Sequence, residues 1–390
     1  MRMRVLMGGR ECILAATVCL LAEIALYVII IFFNPAGELY IGIKTLALNG
    51  IVCTFFIIIL VVNGCARLFA ASKQAGIVTK LLLVLFWWIP VFNLVLLKKI
   101  YKAAVKEYVF VSKKTELNKS RAAEEVCKTK YPLLLVHGIF WRDWQAFNYW
   151  GRIPKELITN GATIFYGNNK SSASVAESGS ELADCIQKIV SETSCEKLNI
   201  IAHSKGGLDS RYAISGMGMG KYVASLTTIS APHYGCNSVR KLVDMIPEKL
   251  LHVVDKKYET LYSILGDNDP DFLSGLMGLT DKECEELNRI LPDDQEVYYQ
   301  SVCSKMTSSK GAVFPLNLGY TMIKWNEGDN DGLVAVDSMA WGNFLGVVTP
   351  RGKQGISHGD MIDLTRMDIE GFDVCEFYVD LVSKLVERGF

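Results

Sequence analysis

Histidine is scarce in this 390-residue chain, at five residues, and none of its eleven cysteines forms a C-x-x-C pair. A zinc ribbon or finger therefore has no ligand set. The cysteines are odd in number and irregularly spaced, with seven of them after residue 110. That pattern argues against a disulfide scaffold and for a reducing compartment. Charge of one sign is lacking too. Forty-one Lys and Arg balance 41 Asp and Glu, so no global basic field invites nucleic acid, which is not an expected partner. Internal repeats and low-complexity tracts are absent. What the chain does have is apolar mass: half of its residues are apolar, 21% are charged, and the mean hydropathy is +0.23. Those values exclude a disordered or collagen-like chain and are high for a purely soluble globule.

The apolar excess lies before about residue 110. Cys12 to Phe33 runs for 22 residues with one charge, Glu23, which is enough for a bilayer-spanning helix. The following Asn34-Pro35-Ala36-Gly37 offers no A-x-A cleavage site, which weighs against a signal peptide. Leu46 to Val62 is a second span candidate. A third run, Leu81 to Leu97, carries Trp87, Trp88, Pro90 and Asn93. Paired tryptophans suit an interface and Pro90 would kink a helix, so spanning, re-entering and lying flat all stay open. Two or three transmembrane or membrane-associated helices are expected over residues 1–110, with the lipid bilayer as partner. A charged linker is expected over 111–130.

Arg2, Arg4 and Arg10 before the first run, and Arg67, Lys73 and Lys80 after the second, put the N-terminus in the cytoplasm of a plasma-membrane protein. Lys98, Lys99, Lys102 and Lys106 leave the rest of the chain undecided. A spanning third run would carry them outside, whereas an interfacial one would keep them inside.

From Tyr131 onward short apolar runs alternate with amphipathic stretches. Strands are expected at Tyr131–Val136, Ala162–Tyr166, Lys197–Ala202 and Val223–Ile229, and helices at Trp150–Asn160, Ser178–Ser191 and Leu208–Ser215. That order implies right-handed βαβ units and a mainly parallel sheet with helices on both faces.

The sharpest local signal is Ala202-His203-Ser204-Lys205-Gly206-Gly207, between an expected strand and an expected helix. It has the form of a nucleophile elbow, with Ala in the first small position. Ser204 must sit on a tight turn that lifts its Oγ above the sheet, and small residues at 202 and 206 leave room for the strand-to-helix crossing. His137-Gly138 closes the first strand. In such a sheet the next loop and the residue after the nucleophile supply the oxyanion amides, here Ile139 and Lys205. His137 itself is expected to hold the loop by a hydrogen bond.

A serine nucleophile needs a base and an orienting carboxylate, in the chain order Ser, Asp/Glu, His. His233 precedes any plausible acid and His252 lies in a polar-apolar helical stretch, leaving His358 in a Gly-rich loop before the last helix. Asp331, at a strand-end turn, is the expected acid, with Asp329 and Asp337 as near competitors.

These motifs resemble the bacterial triacylglycerol lipases (true lipases) of the α/β-hydrolase superfamily. The likeness rests on the LLLVHG strand, YWGRIP at Tyr149 to Pro154, the AHSKGG elbow and APHYG at Ala231 to Gly235. It continues through NDGLV at Asn330 to Val334 and His-x-Asp at His358 to Asp360, and covers most of residues 131–365. The resemblance implies an α/β-hydrolase domain over 131–390 with a helical lid insertion at about 237–318. It implies a triad of Ser204, Asp331 and His358, with oxyanion amides from Ile139 and Lys205. Within the insertion, Val239, Leu242, Val243, Ile246, Leu250, Leu251 and Val254 form apolar helical faces, and Leu273, Leu276, Met277 and Leu279 are the better lid candidate.

Two features depart from the family. Related lipases hold a structural calcium with the His-x-Asp aspartate and a second aspartate before the triad acid. Here that earlier stretch reads Ser308-Ser309-Lys310-Gly311-Ala312, without a carboxylate, so no metal or cofactor is expected and Asp360 is given a loop or capping bond. The membrane region has no counterpart in a typical secreted lipase. The resulting expectation is a membrane-anchored serine carboxylic-ester hydrolase acting on acylglycerols or related lipid esters. An acyltransferase or thioesterase on the same triad, or a silent membrane-tethered lipid-binding protein, are the alternatives.

Overall fold

A computed structural model describes residues 1–390 except 34–42, 87, 140–147, 171–172, 239, 242–271, 313–315 and 351–353. The chain divides into two compact units, Met1–Ser120 and Arg121–Phe390.

In the first unit, helices α1 (Arg2–Phe33) and α2 (Ile43–Ala71) are, among the described residues, the two long enough and apolar enough to cross a membrane. They run antiparallel. Arg2 donates to the Ala71 carbonyl, Asn49 donates to Glu23 at 2.7 Å, and Tyr27 donates to the Leu46 carbonyl at 2.8 Å. The helices approach closely at Gly9 and Gly64, where a Cβ on either would meet the other's carbonyl oxygen at about 3 Å. Glu23, the one charge in the first apolar run, is thus paired within the helix pair.

The third apolar run is broken. Helix α3 (Ile77–Leu85) ends before Pro90, and α4 (Pro90–Arg121) begins with it. Pro90 therefore does not kink a helix as expected. It starts one, where its missing N–H costs nothing. The expected linker at 111–130 also dissolves. Residues up to 120 continue α4, while Cys127 is buried in the core of the second unit and Arg121 pairs with Glu376 there.

In the second unit six strands form one sheet: β1 (Leu133–Val136), β2 (Ile164–Tyr166), β3 (Leu198–His203), β4 (Val223–Ile229), β5 (Tyr298–Ser304) and β6 (Asn343–Val348). Their spatial order is β2-β1-β3-β4-β5-β6, and every adjacent pair is parallel. The order reverses between β1 and β3, where open α/β sheets place their sites. Alternation of side chains divides the core. Leu133, Leu135, Ile201 and Ile229 face α5 (Ile153–Thr159) and the C-terminal helix, whereas Leu134, Val136, Ile200 and Ala202 face α6 (Val175–Thr193). The Ser174 side chain accepts from the Glu177 amide and fixes the start of α6.

The insertion expected over 237–318 needs a correction, because Tyr298–Ser304 is a core strand of the sheet. Its Tyr-Tyr-Gln-Ser-Val-Cys-Ser sequence lacks the continuous apolar run that marked the earlier strands. Most of the expected lid faces (Val239, Leu242, Val243, Ile246, Leu250, Leu251 and Val254) lie outside the described residues, as does His252.

Trp150 is fully buried and lies edge-on to Tyr149, His203 and Tyr378. Truncation at such a junction forfeits both transfer energy and packing. Trp150→Ala is expected to lower the unfolding free energy of the solubilised protein by about 3–5 kcal/mol, read as a lower urea midpoint. A loss near zero would mean that the surrounding core collapses to fill the space.

Candidate active site

The candidate residues come from the C-terminal ends of β1 and β3 and from the loops after β5 and β6. Ser204 follows β3 directly, with φ 56° and ψ −132°, a strained backbone for a residue other than glycine. It immediately precedes α7 (Lys205–Arg211), and its own carbonyl accepts from the Gly207 amide at 2.9 Å. The turn exists because its neighbours are small. A Cβ at Gly206 would meet the His137 carbonyl oxygen at 2.4 Å, and one at Gly138 would meet Ser204 Cβ at 2.8 Å. The β1 loop thus packs directly on the serine turn, with Gly138 against Ser204 and the His137 carbonyl against Gly206.

Asp331 and His358 are brought together. His358 Nδ1 lies 2.7 Å from Asp331 Oδ2, and the His358 amide donates to the Asp331 carbonyl at 2.8 Å. The other carboxylate oxygen of Asp331 accepts from the Leu333 and Val334 amides at 3.1 and 2.9 Å. Asp331 is fully buried. The competing carboxylates are elsewhere. Asp329 pairs with Lys305 and Lys324, which hold its carboxyl down at about 2, and Asp337 is exposed. One residue of register decides between an imidazole and two lysines.

His358 reaches the serine turn beside His203, whose ring centroid is 4.4 Å from its own. Burial above all, and the adjacent His358 second, hold His203 far below the usual imidazole range. The Gly138 amide donates to the Tyr149 hydroxyl at 3.0 Å, and that hydroxyl lies 2.7 Å from His203 Nδ1. That hydroxyl therefore bridges the Gly138 amide and the His203 ring. Sequence reasoning gave neither Tyr149 nor His203 a role. The available signal was a histidine at the end of a buried strand, a polar group that needs a partner.

The remaining expectations resolve individually. The Lys205 side chain is buried, donating to Asp209 at 2.7 Å and Ser178 at 2.8 Å, so only its backbone amide is available to the site. Burial pushes the Asp209 carboxyl up to about 6, against the pull of Lys205 and Asn169. Ile139 is buried with Val175, Leu208, Leu279 and Cys284. Leu279, expected on a lid, is part of this buried cluster, while Met277 is exposed. His137 Nδ1 lies 2.9 Å from the Gly138 carbonyl oxygen. His233 lies 2.9 Å from the Thr228 hydroxyl and stacks on Trp341.

Asp360 accepts from the Ser357 amide at 2.9 Å and its hydroxyl at 2.7 Å. Among the described residues no three His, Cys, Asp or Glu side chains gather as a metal-binding group. One engaged carboxylate and a carboxylate-free 308–312 segment do not fit the oxygen cage that calcium requires.

A parallel sheet with a serine on a strained turn after its central strand, and a paired acid and histidine on later loops, defines an α/β-hydrolase. A family model described as "Putative serine esterase (DUF676)" matches residues 133–265. The triacylglycerol lipase of Burkholderia plantarii is 32% identical over 183 residues, covering 44% of this chain and 51% of that protein. Triacylglycerol lipase 2 of Saccharomyces cerevisiae is 27% identical over 270 residues, covering 62% and 74%. The chain spans about half the length of the first bacterial relatives, 51% and 56%. The crystal structure of Staphylococcus hyicus lipase shares the fold with a TM-score of 0.52 at 17% identity, covering 67% of this chain and 97% of that one. The second unit thus has an α/β-hydrolase fold and is similar in sequence to triacylglycerol lipases.

Tyr149→Phe removes the acceptor of the buried Gly138 amide and the hydrogen-bond partner of His203. An unfolding free energy lower by about 1–3 kcal/mol is expected from the unsatisfied groups, measured by urea denaturation. Unchanged stability would show that water replaces the hydroxyl.

Proposed function

We propose that this protein is a membrane-anchored serine carboxylic-ester hydrolase of lipase type, acting on acylglycerols or related lipid esters. The observation that carries the reading is the buried Asp331–His358 pair at 2.7 Å, beside a serine held at positive φ at the end of β3. The kinship with proteins named triacylglycerol lipase supports the ester class, and the two apolar helices support anchoring.

In this mechanism His358 Nε2 takes the Ser204 proton as Oγ attacks the ester carbonyl. Asp331 holds the Nδ1–H tautomer and stabilises the imidazolium. The Ile139 and Lys205 amides stabilise the oxyanion. The alcohol leaves with the proton from His358, and water activated by the same base then releases the fatty acid. Anchoring raises the local concentration of lipid without adding a contact to the site.

Detergent-solubilised protein is expected to hydrolyse p-nitrophenyl esters with activity rising toward long acyl chains, and to react with a fluorophosphonate probe. Ser204→Ala is expected to abolish both; retained turnover in that variant refutes the proposal. Asp331→Asn should cost on the order of 10⁴-fold in kcat, while Asp329→Asn should change it little. The reverse pattern would reassign the acid.

A further inference from the structure

The Tyr149-Trp150-Gly151-Arg152 motif has a second connection to the site. Asn148 to Arg152 form one compact turn. The Asn148 side chain donates to the Gly151 carbonyl at 3.0 Å and accepts from the Trp150 amide at 2.9 Å. The Gly151 amide donates to the Asn148 carbonyl at 3.3 Å. Asparagine closes turns this way because its short amide can bond its own backbone two residues on. Trp150 fastens the turn to the core, in one buried cluster with Ile153, Met361, Ile362 and Tyr378.

One end of this turn meets the nucleophile side of the site. The Tyr149 hydroxyl accepts from the Gly138 amide and lies beside His203, and Gly138 is packed against Ser204. The other end meets the loop that carries His358. The Arg152 amide and Nε both donate to Asp363 Oδ2 at 2.8 Å, and Nη2 donates to Oδ1 at 2.8 Å. Nη1 donates to Asp368 at 2.7 Å. The Asp363 side chain is almost fully buried. Gly151 has φ 54°, and a Cβ there would meet the Asp363 carbonyl oxygen at 2.6 Å. Glycine is what lets the two segments come so close.

Between His358 and Asp363 the loop is cross-bonded into one unit. The Ile362 and Leu364 amides both donate to the Gly359 carbonyl, at 3.4 and 3.0 Å, and the Asp363 amide donates to the Asp360 carbonyl at 3.1 Å. Asp360 accepts from Ser357, just before the histidine. That unit is held from outside at both ends. Asp331 holds the His358 amide and ring, which aligns the imidazole with its acid. Those bonds leave open how far the pair stands from Ser204. The Arg152 grip removes that freedom, and it does so from the turn that also binds Gly138. Base and nucleophile are thus referred to one five-residue element. A lysine would bring charge to the two aspartates, whereas the planar guanidinium fork fixes direction as well.

We propose that Arg152 is a positioning residue for His358. Through Asp363 and Asp368 it sets where the base loop stands against the serine turn, and Tyr149 ties the Gly138 loop to the same reference. This rests on the Ser204–Asp331–His358 reading above and adds the element that keeps base and nucleophile in register. A displacement of about 1 Å at a reacting group can cost on the order of 10²-fold in rate.

The test is the rate at which a fluorophosphonate probe labels the detergent-solubilised full chain, wild type against Arg152→Lys. Labelling run to completion counts the folded, competent fraction, while the rate constant reports the geometry within it. Arg152→Lys is expected to lower the rate constant by on the order of 10–100-fold, with the completed fraction retained. Its kcat for a p-nitrophenyl ester is expected to fall by the same factor, with KM little changed. An unchanged rate constant would overturn the proposal. So would a smaller labelled fraction that reacts at the wild-type rate, which is the signature of a purely structural role. Should Arg152→Lys fail to fold, Asp368→Asn alters one of the two carboxylates and is expected to slow labelling several-fold; an unchanged rate there overturns the proposal too. Wild-type protein that the probe does not label would instead bring down the hydrolase reading itself.

Discussion

The close approach of two turns, residues 137–139 after β1 and 203–207 after β3, is the constraint on which the second unit depends. Ser204 holds a backbone conformation that costs about 1–3 kcal/mol. It persists because the surroundings leave no alternative. The Ser204 amide donates to the Ile229 carbonyl at 3.0 Å, extending the β3–β4 ladder through the turn, while the β1 loop sits against Gly206. Gly206 and Gly207 are required by contact, not by φ. A Cβ at the first would strike the His137 carbonyl and one at the second would strike Ala231 Cβ at 2.6 Å. The same contacts that strain the serine hold Gly138 against its side chain.

Polar groups buried around these turns are arranged in pairs, and the pairing decides which group is free to take a proton. Lys205 faces Asp209 and Ser178, and Tyr149 holds His203. With the Lys205 ammonium engaged beneath the helix start, the amide above it is left as that residue's contribution to the site. His203, 4.4 Å from His358, is held neutral by burial. Two imidazolium ions at that spacing would repel by about 4 kcal/mol at an effective dielectric near 20. On the proposed mechanism a proton arriving at the site therefore goes to His358, the ring with a carboxylate behind it.

Much of this was legible in the sequence where residue type and spacing carry the physics. The strands β1 to β4 are short apolar runs because both faces of a parallel sheet are covered, and each lies within about two residues of its expected place. The elbow was legible because glycine and alanine at fixed positions around a serine, between a strand and a helix, mark a turn with no room for larger side chains. Two strands were not. The sequence of β5 is rich in Ser, Gln and Tyr, whose polar groups are satisfied by neighbours, as where Gln300 bonds Thr227 and Ser301 bonds the Trp341 carbonyl. Edge strand β6 is half exposed and carries a weak apolar signal. Nor could spacing separate Asp331 from Asp329, since the choice depends on which turn residue points inward. The role of Tyr149 was hidden for a related reason: its partners, Gly138 and His203, are 11 and 54 residues away.

In the first unit, one buried carboxylate ties three parts of the chain together. Glu107 is almost fully buried, and Arg2, Ser72 and two backbone amides converge on its carboxylate. Replacing such an ion pair with hydrocarbon often costs little stability, so its value here is one of specificity. The donors come from the start of α1 and the residues just after α2, and the acceptor comes from the middle of α4. That convergence fastens the middle of α4 to one end of the helix pair.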